Sequence, residues 1–324
     1  MLEFAALAAV ALSAQPSPAG GTGWQQAYQS NRAPIQECYA KADQATCEPI
    51  YNLYLKLQQG AQRERDAKGE FFLMVEFAQM ARRWSSKELE RGSAQLSVAI
   101  AGRAFDVLQA WMKQKGDGVI MVHTSGLFTQ LSLALLANGS SDQARQVLTY
   151  MRNVGDEFWN SRPQTAAPQQ VRNFCDAADR YRMSEAAFAE KVDDSRLIAE
   201  AYKAAATWAE RSAAACPDKP GLPPAALHQA SYLMRYAAAL PTDATELRSL
   251  YRQVRKLSCD NGAATYQGSW GRLCAEATLR EVGETPSAGG EPLISEVEKQ
   301  PDQPIDWDTW RVIDTGLEKK QEPN

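Results

Sequence analysis

Few side chains in this sequence could do chemistry, and their spacing narrows what that chemistry is. His123 precedes Thr124-Ser125-Gly126, which puts a base beside two hydroxyls. A nucleophile of that kind also needs a carboxylate to orient the base and an oxyanion loop, and neither is evident nearby. A histidine close to a helix start is the simpler reading. His228, the other histidine, lies in an Ala-rich stretch and reads as structural or exposed. The phosphate loop GxxxxGKS/T, the GxSxG elbow, HExxH and SxxK do not occur. Hydrolysis of a glycan needs only two carboxylates about 5–10 Å apart, and 39 Asp and Glu are present. The linear sequence does not pick that pair, so no catalytic residue is assigned. Trp84, Trp111, Trp159, Trp208 and Trp270 are candidates to flank a sugar cleft, although Trp at helical spacing more often belongs to a core.

The six cysteines, Cys38, Cys47, Cys175, Cys216, Cys259 and Cys274, form no CxxC pair. With two histidines in the chain, a zinc cluster is not expected, and no other metal or cofactor is either. Six cysteines allow fifteen pairings, or six reduced, buried thiols. A helical reading favours nearest neighbours, because each successive pair brackets one turn: Cys38–Cys47, Cys175–Cys216 and Cys259–Cys274. On one continuous helix the spacing of Cys38 and Cys47 puts them on opposite faces, so their bridge requires the chain to reverse between them.

The elements that must position these residues are helices. Ala and Gln are frequent and runs of Val, Ile and Thr are few, a helical bias. The expectation is an all-α fold of about ten to twelve helices, stacked as hairpins into a solenoid-like or irregular bundle and stapled by disulfides. Trp24 to Ala42 reads as one helix despite Pro34, and residues 43–46 as a turn. Pro49 suits the first turn of a second helix through Gln59. Glu70 to Trp84 is dense in apolar residues. Ser85 to Glu88 has capping-box spacing and opens a helix to about Lys115, weak near Gly92. Val119–Val122 is the one β-like run and is read as a helix start. A looser region follows Met151. Residues 169–191, 195–216, 225–240 and 246–257 are helical, with a last helix ending near Val282, and Asp243 and Glu246 again have capping-box spacing.

Between these lies Phe128 to Met151, two amphipathic helices around Asn138-Gly139, with Ser140 and Gln143 at capping-box positions. Phe128, Leu131, Ser132, Leu135, Gly139, Ala144 and Leu148 fall at the spacings of a tetratricopeptide repeat, and this hairpin resembles one. The match covers about one repeat, since a 34-residue step downstream puts Arg162 at the aromatic position. The resemblance implies a helical hairpin that must stack on neighbours, and no specific ligand.

The two ends differ from the body. FAALAAVAL at Phe4–Leu12 followed by Leu12-Ser13-Ala14 resembles a signal peptide with its cleavage site, although Met1-Leu2-Glu3 lacks a positive charge. Residues 1–14 are therefore a signal peptide and 15–23 a flexible linker. A helical domain covers 24–216, PDKPGLPP at 217–224 is a Pro-rich break, and 225–282 is a C-terminal helical part. Residues 283–324 form an acidic, Pro-rich tail, with ten Asp/Glu against four Lys/Arg, too polar to fold alone. Within it Trp307, Trp310 and Ile313 would share one face of a short helix. They either dock on the chain's own body or act as a tethered motif for a partner.

The chain carries a net charge of −4, and with the tail set aside the body is close to neutral, without an electrostatic footprint for nucleic acid. No segment is long enough to span a membrane after signal cleavage. These features indicate an exported helical scaffold or binding module, periplasmic or secreted in a bacterium, that recognises a protein or peptide partner in the cell envelope. The alternative is an all-α, carboxylate-dependent hydrolase of envelope glycan.

Overall fold

The computed structural model describes residues 23–115, 120, 123–161, 168–218, 222–260 and 266–284. Residues 1–22, where a signal peptide and most of a linker are expected, and residues 285–324, with Trp307, Trp310 and Ile313, lie outside the described residues. So does the Val119–Val122 run except Ile120. Among the described residues there are twelve helices and no strand. They are α1 (Trp24–Ser30), α2 (Arg32–Lys41), α3 (Gln44–Arg63), α4 (Ala67–Glu90), α5 (Ala94–Lys115) and α6 (Ser125–Ala137). Then come α7 (Ser141–Asn160), α8 (Pro168–Ala189), α9 (Ser195–Ala215), α10 (Ala225–Ala239), α11 (Leu247–Cys259) and α12 (Gln267–Glu281).

From α3 onward nearly every helix packs on the next in sequence, which makes a stack of hairpins, and α6 also packs on α4 and α8. Every residue from Leu127 to Leu135 of α6 is buried, so this helix is enclosed by its neighbours rather than amphipathic. One apolar core runs from Trp24 to Ala277. The chain on the two sides of the Pro-rich break packs together, through an extensive contact between α9 and α10.

All three nearest-neighbour disulfides are present. The reversal that Cys38–Cys47 needs is made by Ala42, in the left-handed region with φ 45°, between α2 and α3. Asp43 then caps α3 by accepting from the Thr46 amide at 2.9 Å, so residues 43–46 are a helix start rather than a free turn. Arg91, just past α4, donates to the carbonyls of Lys41 and Ala42 at 3.0 and 2.7 Å, satisfying the end of α2. Cys175 lies near the start of α8 and Cys216 follows α9, at the ends this antiparallel pair brings together.

Several expected boundaries move, each for a local reason. The first helix is two, broken at Asn31, and Pro34 sits in the first turn of α2, where its missing amide is harmless. Pro49 lies inside α3. Ser85 does not open a helix: it is fully buried inside α4, where its carbonyl accepts from the Ser97 hydroxyl of α5 at 2.8 Å. Two small residues let these helices approach closely, and the break falls at Gly92, with φ 82°. Ser140 makes no side-chain cap bond, and α11 is entered at Glu246 rather than at Asp243, so neither capping box is formed. Helix α7 continues through Gly155 to Asn160 instead of loosening after Met151. A Cβ at Gly155 would meet Tyr181 at 2.7 Å and Trp208 at 2.8 Å. The glycine is thus a point of close approach for two aromatic rings stacked 4.7 Å apart.

Buried carboxylates lace the stack together. Glu185 of α8, with no exposed surface, takes a two-point bond from Arg152 of α7 at 2.7 and 2.8 Å. Glu70 accepts from Trp111 at 2.9 Å and Gln58 at 2.8 Å and pairs with Lys115 at 2.7 Å. Glu76 accepts from the Tyr54 hydroxyl at 2.8 Å, and burial beside this carboxylate pushes the phenol of Tyr54 well up. Each accepts a hydrogen bond from a neighbouring helix, the kind of partner a buried carboxylate needs.

Candidate functional site

A cleft of about 810 Å³ opens where α6 meets α4 and α8. Helix α4 supplies Gln79, Arg82, Arg83 and Ser86, and the N-terminal half of α6 supplies Gly126, Thr129 and Gln130. Helix α8 supplies Asp176, Asp179, Arg180, Arg182, Met183 and Ser184, with Glu190 and Lys191 just beyond it. Leu222, 57% exposed, stands on the rim. Five cations and three acids thus face the opening. Two of those acids are held by arginines: Asp179 lies 3.7 Å from Arg182, and Glu190 2.8 Å from Arg235.

The lining is fixed from behind. The Arg83 guanidinium donates to the Tyr39 carbonyl. Arg182, 7% exposed, donates to the Tyr232 hydroxyl of α10 at 3.0 Å. Ser125 and Ser184 share a hydroxyl–hydroxyl hydrogen bond of 2.9 Å across the α6–α8 contact. Gln130 donates to the Ser85 hydroxyl at 3.3 Å. Arg82 lies across the first turn of α6, because a Cβ at Gly126 would come within 3.0 Å of its Cδ. Thr124, at the N-cap, makes no side-chain cap bond. The guanidinium and the positive end of α6 therefore converge on one wall of the cleft.

His123 belongs to this wall, half-buried, with its ring edge-on to Phe71 at 5.5 Å. Burial first, and Arg180 second, lower its pKa from 6.5 to about 3, so the imidazole is neutral at physiological pH. Below pH 6.5 the unfolded chain takes up a proton that the folded protein refuses. Stability from this group is therefore present above pH 6.5 and lost as pH falls towards 3. The slope is below the limiting ~1.4 kcal/mol per pH unit, because the ring keeps some solvent contact. His123→Gln is expected to show a shallower fall in melting temperature between about pH 6 and pH 4 than the parent. Parallel curves for the two proteins would refute this assignment.

The other residues singled out by sequence are dispersed. His228 is buried and stacks on Tyr232 at 6.0 Å. Trp84, Trp111, Trp208 and Trp270 are core residues, and half-buried Trp159 packs edge-on against Trp208 at 5.9 Å. None of the five lines the cleft. Among the described residues no group of three or more His, Cys, Asp or Glu is placed to hold a metal ion, and no helix is long and apolar enough to cross a membrane. What sequence reasoning passed over is Arg82-Arg83, a tandem charge near the end of the apolar-dense stretch at 70–84, and Arg180 and Arg182. A pair of arginines interrupting a buried helix is the available signal, since such charges need a partner or an opening. Against protein-family models, curated proteins and solved structures, this chain finds no match.

Proposed function

We propose that this chain is an exported, disulfide-stapled helical binding module that recognises a protein or peptide partner in the bacterial cell envelope. The observation that carries this reading is the cation-rich cleft. Arginines from two helices converge with the N-terminus of α6, and a peptide segment bearing carboxylates is the chemistry that complements them. Leu222 on the rim and Met183 within supply apolar contact beside the charges, the mixture found where peptides dock. Three disulfides fit an oxidising compartment, in keeping with the apolar leader at Phe4–Leu12. The α6–α7 hairpin, with its tetratricopeptide-like spacings, is one unit of the scaffold that frames the cleft. The glycan-hydrolase alternative has no comparable support, since none of the five candidate tryptophans lines the cleft and two of the three cleft acids are held by arginines.

Fluorescence anisotropy with labelled nine-residue peptides tests the reading. Acidic peptides are expected to bind with salt-dependent affinity, and Arg82→Glu to weaken them roughly tenfold or more while leaving the helical spectrum unchanged. Equal binding of acidic and basic peptides, or of parent and variant, would overturn it.

A further inference from the structure

Helix α11 carries Arg248, Arg252, Arg255 and Lys256 and no acidic residue. These positions follow the i, i+4, i+7, i+8 spacing of one helix face, and all four are exposed. The opposite face, Leu250, Tyr251, Val254 and Ser258, is buried. The helix is therefore docked through its apolar side, and its cationic side is left outward. Arg252 and Arg255 both reach the carboxylate of Glu281, at 3.1 and 2.8 Å. No ion pair forms at Arg248 or Lys256 among the described residues.

Glu281 is the last residue of α12, and the acidic tail leaves from that point. Residues 291–308 hold six carboxylates against the single cation Lys299. The stripe is thus covalently joined, through a short connection, to a segment of opposite charge. We propose that residues 291–308 of this chain's own tail lie along the cationic face of α11.

Three arguments support that occupant. Tethering raises the local concentration of the tail to the order of millimolar, so weak ion pairs suffice. The stripe already binds a carboxylate: its two arginines hold the Glu281 carboxyl below the usual range. Val282, 66% exposed beside the root of the tail, offers an apolar contact to Ile305 or Trp307. A membrane surface is the less fitting partner, because the apolar face of α11 is already buried in the fold.

Zero-length carbodiimide coupling of the intact chain, followed by peptide mapping of the monomer fraction, tests this. Lys256 is expected to couple to carboxylates within 291–308. Yield should fall roughly fivefold or more in high salt, as the Debye length contracts from ~8 Å at physiological strength to ~3 Å at 1 M. Arg248→Glu should lower it similarly without altering the helical spectrum. Coupling found only between molecules, yields indifferent to salt and to Arg248→Glu, or no coupling of Lys256 to the tail would overturn the proposal. So would sedimentation of the intact chain with phosphatidylglycerol vesicles in place of that coupling. None of these outcomes bears on peptide binding in the cleft, which the Arg82→Glu comparison reads separately.

Discussion

Arg152→Met is expected to destabilise the fold by about 3–5 kcal/mol at neutral pH, a fall in melting temperature on the order of 10 °C. The reason is what the substitution leaves behind. Glu185 has no exposed surface, and both of its oxygens are bonded to the Arg152 guanidinium. Methionine fills much of the space but supplies no charge, so the carboxylate must stay buried without its counter-ion or take up a proton. Burial already raises the Glu185 pKa above 4.5 even with Arg152 in place, and loss of the guanidinium raises it further. The penalty is therefore absent well below the unfolded value, where the carboxyl is neutral in both states, and grows as pH rises through the folded value. The difference between parent and variant should shrink markedly on acidification. Adding Glu185→Leu to Arg152→Met should restore most of the loss, because an apolar pair replaces an ion pair. Denaturant titrations at two pH values decide it: a loss independent of pH, or undiminished in the double variant, would show that Arg152 acts through packing alone.

Removing the Cys175–Cys216 bridge with paired Ser substitutions is expected to cost about 4 kcal/mol in the chain-entropy model, against under 3 kcal/mol for Cys38–Cys47. The bridge closes a loop of 41 residues in sequence separation, against 9. It also ties the start of α8 to the end of α9, beside the aromatic cluster of Phe174, Trp159 and Trp208. Its loss should therefore loosen one end of a hairpin whose other end is held by the Asp194 cap, which accepts from the amides of Arg196 and Leu197. Thermal unfolding of the two paired variants checks the order. A larger loss at Cys38–Cys47 would mean that local geometry outweighs loop length.

How far the sequence carried depended on the kind of signal. Disulfide pairing was legible because each nearest-neighbour pair brackets one turn, and the left-handed Ala42 supplies the one reversal that spacing demanded. The helices read at 169–191 and 195–216, and the short break between them, were legible from periodicity. Ser85 was misleading because a serine able to cap a helix is equally able to make a close helix contact, and only its neighbour Ser97 decides between them. Gly155 was misleading for a related reason: its role is set by Tyr181 and Trp208, 26 and 53 positions later in the chain. The cleft was hidden in the same way. Its arginines come from α4 and α8, and no local pattern announces that α6 brings those helices together.

That enclosure of α6 has a consequence for how the molecule comes apart. In a linear array of repeats each unit touches only the next, so the ends can fray while the middle survives. Here one thirteen-residue helix is covered by α4, α5, α7 and α8, drawn from both the earlier and the later parts of the chain. Exposing its amides to solvent requires those groups of helices to separate. Hydrogen exchange along α6 should therefore proceed through global opening, with protection set by the stability of the whole fold, while α1 and α12 at the periphery open on their own. The cleft sits against this element, so the arginines of α4 and α8 flank the part of the molecule expected to open last.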